Sequence, residues 1–203
     1  MPPSHFWFAF GLGIIGSAIT AYIWLAQFMG TPVPSAPSRE AAAFAQAPIV
    51  FFLYVLCVCA SLLLGPGSLK RAIEKNLPST GFNIACLAVA ASGIWLSKSI
   101  GHAGLGGSTM SFYWWALAMV WLFLMIGVGF AHKTNRPLVV RDWVIYSHGL
   151  TLLPPLTWIT FALFNAFSSI TPDEAMITAV TLPFAGVFVL AHWYILDVVE
   201  HGA

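Results

Sequence analysis

Charge is what this chain has least of. It carries eight Lys or Arg and seven Asp or Glu in 203 residues, 7% charged, where an ordinary soluble domain carries about 25%. A water-soluble fold of this length could not cover its surface with so few charges. The signs nearly cancel, to a net +1, so there is neither a basic field to attract nucleic acid nor an acidic tail, and nucleic acid is excluded as a partner. Cysteine is also scarce, with three in all, Cys57, Cys59 and Cys86. Cys57 and Cys59 are two residues apart, which on a helix turns them to nearly opposite faces, so they can neither chelate one metal nor bond to each other. They read as small packed apolar residues. Basic residues are missing ahead of the first apolar run too: Met1-Pro2-Pro3-Ser4-His5 contains no Lys or Arg. That run, Phe6 to Met29, is too long for a signal peptide, and the small-residue stretch Ala43-Phe44-Ala45 lies far beyond it, so the first segment is a membrane span.

What fills the chain is apolar, 59% of it. A bilayer-crossing helix needs about 20 mainly apolar residues, and every long interval between charged residues passes that test. The sequence predicts six spans, at about 6–29, 45–64, 81–99, 112–132, 143–167 and 175–197. Strands are excluded by segment length and by the missing alternation. The fold class is therefore an all-α polytopic transmembrane helix bundle, a single integral membrane domain over residues 1–203. Punctuation agrees with this division. Thr171-Pro172-Asp173-Glu174 supplies an N-cap, a proline at the first helical position and acids in the first turn. Gly65-Pro66-Gly67 and the glycine-rich 101–107 stretch read as interruptions after spans two and three. The long loop from Gly30 to Arg39, rich in proline, reads as an extended strap on the periplasmic surface.

Orientation follows from the basic residues, which are retained on the cytoplasmic side. One face receives Lys70, Arg71, Lys75, Lys133, Arg136 and Arg141, and the other only Arg39 and Lys98. Both termini are thus expected in the cytoplasm, in an arrangement read as that of a bacterial inner (plasma) membrane protein. Trp7, Trp95, Trp114, Trp115, Trp143 and Trp193 fall near span ends, where an amphipathic ring is favoured, whereas Trp121 and Trp158 sit mid-span and are expected between helices. Gly13 with Ser17, and Ala88 with Ser92, are spaced for close helix contact.

The histidines carry the functional signal, because His5, His132, His148, His192 and His201 map to the cytoplasmic half and only His102 to the other. His148 lies about 9 Å into span five and His192 about 7.5 Å from the end of span six, at 1.5 Å per residue, so the two share a depth. A polar group in hydrocarbon is costly unless paired, so both are expected to face the bundle interior or a wet cavity. Neutral imidazole binds haem iron or a transition metal, and a carboxylate can complete or orient such a shell. The candidate cofactor ligands are His148 and His192, and the candidate metal set is His132, His148, His192, Asp142 and Asp197, for haem b or a transition metal. No HxxxH, HExxH or CxxCH spacing accompanies them, so interface histidines bonded to carbonyls or headgroups are the plainer alternative. No catalytic residue is named.

Leu153-Pro154-Pro155-Leu156 in span five, and Pro183 with Gly186 in span six, free backbone carbonyls near the midplane, as broken helices do in transporters. No Asp, Glu, Lys or Arg lies at that depth, which argues against a proton-coupled carrier. The sequence thus leads to a membrane protein with a cytoplasmic-side metal or haem site supporting redox or hydrolytic chemistry on an apolar small molecule. A small-solute channel or carrier through spans five and six is the alternative, and an accessory subunit among partner membrane subunits a third. Membrane lipids are partners in every case.

Overall fold

In hydrocarbon no water is present to bond the main chain, so an uncharged apolar segment has to satisfy its own N–H and C=O groups, and the helix does this within the segment. The computed structural model describes residues 1, 3–29, 47–100, 107–167 and 169–196. They form α1 Pro3–Phe28, α2 Pro48–Lys75, α3 Thr80–Ile100, α4 Gly107–Lys133, α5 Pro137–Thr151, α6 Leu153–Phe167 and α7 Pro172–Trp193, and no strand occurs among them. Six segments are long and apolar enough to cross a membrane, with α5 and α6 making one span over Pro137–Phe167. The chain is an all-helical membrane-spanning protein. The 30–46 strap, the glycines of 101–106, His102, Asp197, Glu200 and His201 lie outside the described residues.

Local chemistry sets the helix ends. Thr171 caps α7 in a reciprocal box: its hydroxyl accepts from the Glu174 N–H at 3.4 Å, and the Glu174 carboxylate accepts from the Thr171 N–H at 2.9 Å. Between α4 and α5, Asn135 takes the left-handed conformation, φ 55°. Its N–H donates to the His132 carbonyl at 3.2 Å and that of Arg136 to Ala131 at 2.8 Å, the paired bonds of a Schellman stop. Pro137 then opens α5, where a missing N–H costs nothing. The span therefore begins six residues before Trp143, the start expected from sequence, and the Trp143 ring packs against Phe123 and Gly127 of α4.

Two interruptions behave differently from one another. Gly65-Pro66-Gly67 does not end α2, which runs on for 28 residues to Lys75. Pro66 removes the donor that the Leu62 carbonyl would normally receive, yet that oxygen is not left facing lipid: a Cβ built on Gly13 would lie 2.6 Å from it, so α1 comes to it backbone against backbone. Weak Cα–H···O contacts of this kind recur where helices approach closely. With that shelter and no water to reward unwinding, the helix carries through its proline. At Leu152 the chain does break. Pro154 and Pro155 cannot donate to Leu150 and Thr151, so α5 closes with the Leu152 N–H on Gly149, 3.0 Å, and α6 restarts with both prolines in its first turn. Pro183 lies inside a continuous α7.

α2 is the central element, packed against α1, α3 and α5, while α4 packs between α3 and α5, and α6 against α7. Gly13 and Ser17 do face α2, where the Ser17 hydroxyl and Cys59 thiol each donate to the other residue's carbonyl, at 3.4 and 3.6 Å. On α3 the close approach comes one residue on from Ala88 and Ser92, at Val89 and Gly93, with Gly93 against Ala118 and Tyr54. Trp121 and Trp158 are buried between helices, as their mid-span positions predict, and Trp7, Trp95 and Trp193 are exposed. Cys86 is buried and Cys57 and Cys59 are half-buried, all three as free thiols.

Candidate functional site

Packing leaves a sizeable gap among the described residues. α1 lies along α2 and touches α6, α6 lies along α7, and between α1 and α7 there is a cavity of about 640 Å³. Its walls come from Ala9, Leu12, Ile15 and Gly16 of α1, from Leu69 of α2, from Ile145, Gly149 and Leu152 of α5, from Pro155, Leu156 and Ile159 of α6, and from Val187, Leu190 and Ala191 of α7. Pockets that enclose small molecules run from about 300 to 1,000 Å³ and are apolar with a few placed polar groups. Phe8, Ile15, Leu190 and Trp193 on the rim are each more than half exposed, so the opening faces the apolar outer surface of the bundle. Its walls carry few polar side chains, chief among them His148, with His5 and Tyr194 towards the Met1 end.

Glycine seats His148. A Cβ added to Gly65 would overlap the imidazole at Nδ1 and come within 2.6 Å of Cε1, so only a residue without a side chain lets α5 approach α2 at this point. Phe82 of α3 flanks the ring at 6.5 Å between centroids. The residue is 8% exposed, and Nδ1 is sealed from solvent without a hydrogen-bond partner among the described residues. Nε2 is not sealed in this way. The backbone beneath is held by the helix break: in an uninterrupted helix the His148 carbonyl would receive the N–H of Leu152, which is diverted to Gly149, and the Thr151 hydroxyl occupies it instead at 2.6 Å. An unpaired buried polar atom costs about 1–3 kcal/mol. That cost falls on Nδ1, which is sealed against Gly65, so Nε2 is the ring nitrogen open to something that enters the cavity.

The other predicted ligands go elsewhere. Tyr146 donates or accepts at 3.0 Å from His192 Nδ1 and stacks on Phe188 with centroids 5.6 Å apart. This puts His192 beside Tyr146. Tyr146 and His148, however, are two residues apart on one helix, about 200° around its axis, so His192 is exposed on a different side of α5 and is not part of the cavity wall. His132 is exposed in the last turn of α4. Asp142 accepts from the Arg141 guanidinium at 2.8 Å. Asp197 is outside the described residues. Among the described residues no three His, Cys, Asp or Glu side chains come together closely enough to hold a metal ion.

Three participants escaped sequence reasoning. His5 is in the first turns of α1 on the cavity wall, its Nδ1 buried without a described partner and its ring 6.1 Å from that of Tyr194. Its place was visible only as one more histidine on the basic side. Gly65 carried a signal, but for a turn. Gly149, whose missing side chain admits Val187 at 2.8 Å from an added Cβ, carried none. No family model, curated protein or solved structure matches the chain, so the functional reading rests on the chemistry of the site.

Proposed function

We propose that this chain is a membrane-embedded binding protein that takes an apolar small molecule from the bilayer into the cavity between α1 and α7 and holds it at His148. The observation that carries this reading is an unpartnered imidazole on the wall of an apolar, outward-facing cavity of about 640 Å³. Lipid-soluble molecules reach such a mouth by lateral diffusion, and because lipid tails are as apolar as the cavity walls, packing and the hydrogen bond at His148 are what hold one there. Its test is co-purification. Solvent extracts of the protein, purified in mild detergent, should contain one compound enriched over bulk lipid, and Leu12→Trp, which fills the cavity from its rim, should lose that compound while melting within a few degrees of the parent. Equal recovery from both proteins would sink the proposal. An optical spectrum and metal analysis of the same sample examine the haem or transition-metal reading, in which His148 would need further ligands from outside the described residues.

The same proposal takes the basic loops as cytoplasmic. The start of α1, the ends of α2 and α4 and the start of α5 alternate onto one face, with Lys70, Arg71, Lys75, Lys133, Arg136 and Arg141 near it. Green fluorescent protein fused after Ala203 should fluoresce and alkaline phosphatase fused after Met29 should be active. The reverse pattern would invert the assignment and move the His148 end of the cavity to the outer leaflet.

A further inference from the structure

On the reading just given, we infer that the molecule held in the cavity is a prenylquinone whose ring carbonyl accepts a hydrogen bond from the Nε2–H of His148. The argument starts from the ring's two nitrogens. A neutral imidazole has one donor and one acceptor. Nδ1 lies against Gly65, sealed and without a described partner, and buried N–H groups without an acceptor are rarer than buried acceptors without a donor. The lone pair therefore rests on Nδ1 and the proton on Nε2. His148 lines the cavity, and Nε2, unlike Nδ1, is not among the sealed unpartnered atoms, so Nε2 is the ring nitrogen left to a molecule that enters there.

A donor aimed into the cavity selects an acceptor. A metal-binding histidine needs the opposite arrangement, a lone pair on the coordinating nitrogen and an N–H on the other bonded to a carbonyl or carboxylate, and Nδ1 has no such partner here. Depth then selects neutrality. His148 is eleven residues beyond Pro137, about 16 Å along the helix, and a charged headgroup drawn there would lose its hydration, while the Met1 ammonium on the lining is already paired with Glu74 at 3.5 Å. Around His148, Ile145, Gly149, Leu152 and Pro155 are apolar, so a glycerolipid's clustered ester and hydroxyl groups would find one partner beside this ring, the other polar side chains, His5 and Tyr194, standing towards the Met1 end. A flat ring with carbonyl oxygens needs only that one bond at its inner edge, and the gap between α1 and α7 lets a prenyl tail longer than the cavity continue into the bilayer.

The test is titration of the full chain in detergent with decylubiquinone, read by quenching of tryptophan fluorescence, since Trp193 stands on the rim. Saturable binding is expected, weakened about tenfold in His148→Leu and by less than about threefold in His148→Gln, whose amide restores an N–H. His148→Leu should melt no lower than the parent, because an apolar replacement removes an unpaired polar atom. Equal affinity of all three proteins overturns the inference. So does equal loss in both variants, which would mark the lone pair as the functional feature and point to a metal or haem iron. Competition by dioctanoylglycerol as strong as that of the quinone overturns the headgroup assignment. If decylubiquinone fails to saturate the protein while a Leu12→Trp-sensitive compound still co-purifies, this inference falls and the binding function stands; if neither is seen, both fall.

Discussion

Valine in place of Gly65 is expected to destabilise the protein by about 1–3 kcal/mol, the usual cost of overfilling a packed contact, and to abolish capture in the α1–α7 cavity. The His148 ring occupies the space in which any side chain at 65 would stand. α2 is packed on three other helices and has little freedom to retreat, so the imidazole has to leave, and the open side available to it is the cavity itself. A ring displaced there both blocks the ligand's volume and loses the orientation of its donor. Thermal unfolding in detergent gives the stability change, and the double substitution Gly65→Val with His148→Ala supplies the control: with the ring gone the valine has room, and most of the lost stability should return. Additive effects would show that the two residues do not share the space, since coupling of contacting residues is what such a cycle measures.

Leucine at Gly127 should have a comparable or larger effect, at the upper end of that range of about 1–3 kcal/mol or beyond. A Cβ there would overlap the Trp143 indole, which also lies against Phe123, one turn earlier on the same helix as Gly127, at 5.8 Å between centroids. The indole is rigid and α4 and α5 are tied by a tight turn through Asn135, so the crossing would have to open as a unit. Size-exclusion profiles should broaden and the melting transition fall. Trp143→Ala costs stability by itself, as large-to-small changes in packed sites do, yet combined with Gly127→Leu it should cost much less than the two changes summed. A Gly127→Leu protein with the parent's melting temperature would mean that Trp143 does not lie on that glycine.

Both substitutions concern glycines that a reader of the sequence would assign to turns or pass over. Gly65 looked like a helix stop because Gly-Pro-Gly ends helices in water; within hydrocarbon the helix persists, and the glycine serves the neighbouring helix instead. Trp143 looked like an interfacial anchor because Asp142 beside it marked the span's edge. Asp142 is paired with Arg141, and Pro137 starts the helix further out. Thr171 to Glu174, by contrast, was read correctly in detail, because a capping box involves only groups three residues apart.

The chain by itself determines that it is helical and that six of its described segments are long and apolar enough to cross a membrane, and roughly where, since these follow from how far apart its few charges are and from a backbone with nothing but itself to bond to. It also shows that imidazoles collect towards one side. Which of them act together is decided by tertiary structure. Helical periodicity turns Tyr146 away from His148 and takes His192 with it, a glycine on α2 receives the ring that α5 carries, and the parting of α1 from α7 provides the volume beside it. Those relations join residues 83 and more than 140 positions apart, such as Gly65 to His148 and His5 to Val187, and are set by shape complementarity between helices, which composition and spacing along the chain do not encode.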